Sequence, residues 1–237
     1  TQYLPTILPA LEPKLPVPVV CNCSGYERVE TLRELEGKID IYLPDLKYSE
    51  ARPAKALSGA ADYFPRAKAA IREMFRQTGP YRMENGQLKS GVLIRHLLLP
   101  GELENTRRVI DWVAETFRPG DVLFSLMSQY TPQPGAEGKL ARKVTKAEYR
   151  AAVAYMENCG IVDGYEEMEN EGGTPSVIVA VIDSGVDYDH EDLKDNIWVN
   201  SGETPDNGID DDKNGYVDDY YGVDVIAGKG SGDDDNG

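Results

Sequence analysis

Four times between Pro16 and Asn158 the sequence passes from a short apolar run into an amphipathic stretch, and this alternation limits the fold more than any other feature. The apolar runs are Pro16–Asn22, Ile39–Asp45, Gly91–Pro100 and Asp121–Met127. Each precedes a helical pattern. Ser24 caps the first helix, which carries Val29 and Leu32 and stops at Gly37; Asp62 begins the second, with Ile71, Met74 and Phe75 on one side and Gly79–Pro80 as its stop. The third spans Glu104 to Phe117 with Val109, Ile110 and Val113 on one face. The fourth is opened by a Thr145/Glu148 capping box and closed by Gly160. Strand and helix in alternation argue for parallel βα units, either a barrel or a doubly wound sheet.

The centre of this first part is Ile39–Tyr48, IDIYLPDLKY. Its near-continuous β-branched and aromatic residues suit a parallel strand buried on both faces. It ends in Asp45, Leu46 and Lys47, so a carboxylate and an ammonium stand where the strand leaves the core, at the rim where α/β sheets bind ligands. A second centre is Ser176–Gly185, SVIVAVIDSG, another apolar strand stopping on a single aspartate, Asp183.

Charge separates the two. The net charge of −16 is uneven: residues 1–165 hold 20 acidic and 22 basic side chains, residues 166–237 hold 21 and 3. Such a tail repels phosphate and attracts divalent cations, so nucleic acid is excluded as a partner and a metal ion is expected. No apolar run is long enough to span a bilayer, which excludes a membrane partner, and Thr1 opens no signal peptide; the expected location is the cytoplasm. The missing start methionine suggests a fragment. Cys21, Cys23 and Cys159 form no disulfide framework and read as packing residues of a reduced domain.

The stretches VVCNCSGYERVETL, DIYLPDLKY, IRHLLLPGELENT and LFSLMSQYTPQP resemble the later βα units of radical S-adenosylmethionine (SAM) proteins of the glycyl-radical activating type, the pyruvate formate-lyase activating enzyme-like proteins. The resemblance covers about residues 1–165. In that family a [4Fe–4S] cluster reduces SAM to a 5′-deoxyadenosyl radical inside a partial βα barrel. The resemblance implies that Asn22, Asp45, Lys47 and Arg95 line the SAM side. A fixed carboxylate and amide suit ribose hydroxyls or the methionyl amine, and cations suit its carboxylate. The competing reading is a strand-end ion pair with a structural Arg95. The family's C-x-x-x-C-x-x-C loop and the Gly-Gly segment after it are absent from these residues, and Cys21 and Cys23, on a later strand, do not replace three thiolates at that spacing.

After the polar break Glu166–Thr174, the segment Val177–Leu193, ending in DSGVDYDHEDL, resembles the aspartate motif of subtilisin-like serine proteases, peptidase S8. The resemblance implies that Asp183 is the aspartate orienting a triad histidine, and that Asp192 occupies a calcium position. His190 occupies the turn after the aspartate and is not the triad base. The chain stops at Asp235, Asn236 and Gly237, before the His-Gly-Thr-His motif and the nucleophile. Between lies NGIDDDKNGYVDDYYGVD. Asp210, Asp212, Asn214 and Gly215 fit positions one, three, five and six of the D-x-[DN]-x-[DN]-G template, Tyr216 supplies a carbonyl at seven and Asp218 falls at nine. Asp206 and Asp219 complete the acidic set. Position twelve is Tyr221 rather than Glu, so this is a calcium-type loop and not an EF-hand; the competing reading is a solvated acidic turn.

The expectation is an α/β chain: a partial parallel (β/α) barrel of the radical SAM type over 1–165, a junction over 166–174, and an N-terminal fragment of a subtilisin-like α/β domain with an acidic calcium-type loop over 175–237. Its expected function is that of a truncated activating-enzyme-like domain fused to a protease fragment and inactive as it stands. The alternatives are a calcium-binding fragment of a serine endopeptidase and a non-catalytic binding module. Expected cofactors are SAM and Ca²⁺, and the expected partner is a protein substrate of the glycyl-radical or protease type.

Overall fold

The computed structural model describes residues 18–162, 164–166, 188, 194, 197–224 and 229–230. The expected strand 177–182, Asp183 and Asp192 lie outside them. The chain divides into two units, Thr1–Met168 and Glu169–Gly237.

The first unit runs β1 (Val20–Cys23), α1 (Val29–Glu34), β2 (Ile41–Pro44), α2 (Ala51–Ser58), α3 (Tyr63–Thr78), β3 (Arg82–Glu84), β4 (Gln87–Leu97), α4 (Leu103–Thr116), β5 (Leu123–Met127), α5 (Lys146–Asn158) and β6 (Gly164–Glu166). Strands β1, β2, β4, β5 and β6 pair in that order and in parallel, and β3 lies antiparallel on β4. Each crossover steps one strand further in the same direction. With crossovers of the usual right hand, that order puts the helices on one face of the sheet. A doubly wound sheet reverses direction at its middle. This sheet does not, so of the two expected architectures it has the singly wound one of a partial barrel.

Burial follows the period of two. Cys21, Tyr42, Val92, Ile94, His96, Phe124 and Leu126 are buried against the helices. Their alternates Leu43, Leu93, Arg95, Leu97, Leu123, Ser125 and Met127 are half-buried, and Asn22 is exposed. The expectation of strands buried on both faces is therefore corrected: apart from Ile41, which is buried at the start of β2, one face is covered and the other is open, and the apolar run is continuous because leucines and methionine also line the open face. Leu32 and Leu35, then Ala67, Ala70, Ile71 and Met74, then Val109, Ile110 and Val113, and finally Ala152 and Met156 close the covered side. Their spacing of three and four residues gives each helix one apolar stripe, and each buried Leu or Ile contributes about 1.5–3 kcal/mol.

Three local features depart from the expected pattern. Ser24 caps no helix; its Oγ accepts from the Tyr26 N–H at 3.3 Å, and α1 starts five residues later. An extra helix, α2, precedes Asp62. A hairpin extends β4 back to Gln87, turning on Asn85 and Gly86 with φ of 53° and 78°, the left-handed pair a tight hairpin needs. The Thr145/Glu148 capping box is present, with both reciprocal hydrogen bonds. No helix among the described residues is long and apolar enough to cross a membrane. In the second unit, residues 197–222 form a polar loop leading into β7 (Val223–Asp224), antiparallel to β8 (Lys229–Gly230).

Candidate functional site

The pairing of β2 is prolonged just past Pro44. The Asp45 N–H donates to the Cys23 carbonyl at 2.9 Å, and the Leu46 N–H donates to the Arg95 carbonyl at 2.8 Å. This bridge puts Asp45 beside Arg95, and the β4–β5 register puts Ser125 on the other side of Arg95. Asn22 stands next to Leu43 in the adjacent row. Side chains in parallel register share a face, so all of them project from the open side.

There the charges meet. Arg95 Nη2 lies 2.7 Å from Asp45 Oδ1 and donates to Asn22 Oδ1, also at 2.7 Å. Lys47 Nζ lies 3.2 Å from Asp45 Oδ2. The four residues expected at the rim thus form one connected group drawn from the ends of three strands. Their acceptor oxygens are engaged by cations, whereas Arg95 Nε is buried with no hydrogen-bond partner and the Lys47 side chain is 41% exposed. The donors left over are those of the two cations and the Asn22 amide, so the rim is chemically suited to a carboxylate.

Residues not singled out from sequence hold this group in place. The Tyr63 hydroxyl accepts from the Lys47 N–H at 3.1 Å and faces the Ser24 and Asp45 carbonyls at 2.8 Å each. Burial pushes that phenol well above its ordinary range, so it remains a donor. Gly25 adopts φ +77° with its α-carbon pressed against the Asp45 carbonyl. His96 is fully buried; Nδ1–H donates to the Leu46 carbonyl at 2.6 Å, which leaves Nε2 to accept from the Thr106 hydroxyl at 2.9 Å. Asn105 Nδ2 donates to the Lys47 carbonyl at 3.0 Å, and its Oδ1 accepts from the Ser49 N–H and hydroxyl at 2.7 and 2.9 Å. The sequence signal for these two was faint: polar residues at the first turn of α4 on the side that also carries its apolar stripe.

Cys21 and Cys23 point the other way. Alternation puts them on the helix-covered face, where Cys21 is buried and Cys23 half-buried. They do not fit a [4Fe–4S] cluster: two thiols facing the core, opposite the open side, cannot supply three thiolates to it.

In the second unit the loop gathers a different subset of carboxylates from the one the template names. Glu203, Asp212 and Asp219 bring carboxylate oxygens within 4.8 Å of one another, and Glu203 and Asp219 are buried. Asn200 Nδ2 donates to Asp212 and Asp219 at 3.0 Å each, and Asn214 Nδ2 donates to the same pair at 3.1 and 2.8 Å. Asp210 instead accepts from the Asn214 and Gly215 N–H groups, and Asp218 from those of Asn207 and Gly208. The Tyr216 N–H donates to the Asn214 side chain, and Asp206 takes a left-handed turn with φ 58°. Glu203, outside the template, is the hub: its two oxygens accept from the Asp212 and Asp218 N–H groups at 3.0 and 3.1 Å.

Residues 174–231 match the model of the subtilase family, Peptidase_S8. The tail is subtilase-like. Subtilisin-like protease 1 of Plasmodium falciparum is 47% identical over 76 residues, which cover 32% of this chain and 11% of that protein. The protein of the same name from Plasmodium vivax is 42% identical over 76 residues, covering 32% and 12%. An uncharacterized protein of Methanocaldococcus jannaschii is 28% identical over 144 residues, 60% of this chain and 38% of that one. The chain therefore spans about a tenth of the Plasmodium proteases that its subtilase-like tail resembles. Among solved structures, a domain of pyruvate-formate lyase-activating enzyme from Bacteroides vulgatus superposes with a TM-score of 0.51 at 12% identity, over 70% of this chain and 90% of that domain. That likeness is one of fold: the first unit has the partial-barrel architecture of an activating-enzyme domain, and the subtilase-like tail follows it.

Proposed function

We propose that the first unit binds S-adenosylmethionine at the rim without the cluster chemistry of the activating enzymes it resembles, and that the subtilase-like tail is a non-catalytic, calcium-binding segment. The observation that carries the first part is Arg95, fixed by Asp45 and Asn22 on the open sheet face with Nε unpartnered beside the half-exposed Lys47. These two cations hold the methionyl carboxylate, and the apolar side chains of Leu43, Leu93 and Leu97 border the space for the rest of the ligand. Binding through the rim contacts alone is expected to be weak. Calorimetry should give a measurable affinity for the full chain and a loss of roughly tenfold or more in Arg95→Gln and Asp45→Ala. Equal affinity in parent and variants would remove the rim from the reading. Anaerobic reconstitution with iron and sulfide should leave no stoichiometric [4Fe–4S] spectrum, and a fluorophosphonate should label no serine; either signal would overturn the non-catalytic reading.

For the tail, clustered carboxylate oxygens suit Ca²⁺, which accepts six to eight oxygen ligands with flexible geometry, better than Mg²⁺ or Zn²⁺. The absence of a bidentate glutamate at position twelve places the affinity at roughly 10⁻⁴ to 10⁻³ M. Terbium luminescence sensitised by Tyr216, Tyr220 or Tyr221 should appear, fall on adding calcium, and be lost in Asp212→Asn with Asp219→Asn. Luminescence indifferent to calcium or to that double substitution would leave an acidic turn without a bound ion.

A further inference from the structure

Lys47 stands three residues beyond the end of β2, where no sheet hydrogen bond holds the chain, yet both of its peptide groups are fixed. Its N–H is held by the Tyr63 hydroxyl at 3.1 Å and its carbonyl by Asn105 Nδ2 at 3.0 Å. Asn105 is 6% exposed and also grips Ser49 twice, at its N–H and its hydroxyl. One residue earlier, the Leu46 carbonyl is held by His96, which is itself held by Thr106. The loop that carries the rim ammonium is thus clamped by the first turn of α4, whose side chains reach the backbone that the sheet has released.

A lysine side chain has four rotatable carbons and loses much rotamer freedom when confined. Fixing its backbone on both sides removes the part of that cost that comes from loop motion, and this is the advantage of a preorganised site. We propose that Asn105 is the positioning residue for Lys47: its amide donor sets the Lys47 carbonyl, and through it the direction in which the ammonium leaves the loop toward Asp45 and toward a bound carboxylate. Asn105 touches no ligand in this arrangement; it acts through Lys47. The inference rests on the rim reading above, but its core concerns the Lys47–Asp45 pair, which is formed without ligand.

The substitution Asn105→Asp separates the two functions of the amide. Oδ1 continues to accept from Ser49, whereas the donor to the Lys47 carbonyl is replaced by an oxygen that repels it. Reductive ¹³C-methylation of the full chain gives a dimethyl-lysine resonance for Lys47, assigned with Lys47→Arg. Asp45→Asn removes the ion pair and marks the unpaired position of that signal. In Asn105→Asp the resonance should move toward this position, while Asn105→Gln, which keeps a donor, should restore part of the parent shift. A resonance left at the parent position in Asn105→Asp, in a chain whose circular dichroism matches the parent, overturns the proposal whatever the ligand does.

The second arm compares ligands. Asn105→Asp and Lys47→Ala should each weaken S-adenosylmethionine roughly tenfold and decarboxylated S-adenosylmethionine less than twofold. Equal losses for both ligands would make Asn105 a structural residue and overturn the proposal. A parent chain that binds neither ligand would sink the rim reading, and the resonance experiment still decides Asn105.

Discussion

Gly25→Ala is expected to destabilise the βα unit by about 3 kcal/mol or more. Two costs combine. The residue has φ +77°, where a β-carbon meets its own following carbonyl at a cost of about 1–2 kcal/mol. The added methyl would also lie 2.0 Å from the Asp45 carbonyl oxygen and 3.3 Å from the Tyr63 hydroxyl. That carbonyl cannot yield freely, since the Asp45 N–H is bonded to Cys23 and its oxygen faces Tyr63. The loop after β1 must lift off the end of β2, and Asn22 with it. Gly37→Ala supplies the control: φ is +78°, but nothing lies within 4 Å of the added carbon, so only the backbone cost applies. Urea unfolding followed by Trp112 fluorescence in a Trp198→Phe background measures both. Equal losses in the two variants would mean that the contact at Asp45 carries no energy.

The second large effect is on the pH dependence of stability. Burial pushes the His96 imidazole down from its ordinary 6.5 to about 4, with the Leu46 carbonyl and Asp45 pulling it partly back. The folded state therefore holds His96 neutral at a pH where the unfolded chain has already protonated it. Stability from this source is complete above pH 6.5 and is lost as pH falls toward 4, about 2 kcal/mol of it between pH 6.5 and 5. The carboxylates whose values are lowered, Glu36, Asp62, Glu73, Glu148 and Asp211, begin from the ordinary 4.5 or 3.8 and act below that window. The other histidine, His190, belongs to the other unit. His96→Gln should flatten the slope between pH 6.5 and 5 in the same urea assay while lowering stability at pH 7.5. A slope unchanged by the substitution would assign the acid sensitivity to another group.

The strand and helix order could be read from the sequence because each helix kept its apolar spacing and each strand its apolar run. The openness of one sheet face could not. Leu43, Leu93 and Leu97 look identical in a sequence whether a helix covers them or not, so a half-exposed strand of leucines reads as a core strand. Helix α2 is hard to see in the sequence because it is only eight residues long and buries only Ala54. The hairpin at Asn85–Gly86 carried a clear turn signal that the apolar reading of β4 passed over. At the rim, Asp45 and Lys47 were legible as charges where a strand ends, whereas Asn22 and Arg95, the latter inside its strand, came only with the resemblance. Tyr63, His96 and Asn105 were not legible, because what they hold is set by which loop lies across them, a fact of tertiary packing. Glu203 was missed for the same reason: it joins Asp212 and Asp219 from outside the spacing that a linear template reads.

The order of the strands has a consequence for how the chain acquires its shape. Every parallel pair joins strands separated by one crossover, so the sheet can be laid down one neighbour at a time, each addition closing a loop of modest entropy. The bond between Arg95 and Asn22 is of another kind, spanning 73 residues. It exists only after the units that carry β1, β2 and β4 have docked side by side. A chain emerging from the ribosome therefore holds part of its scaffold before its binding residues meet, and a mispairing of β4, the central strand, keeps the rim charges apart.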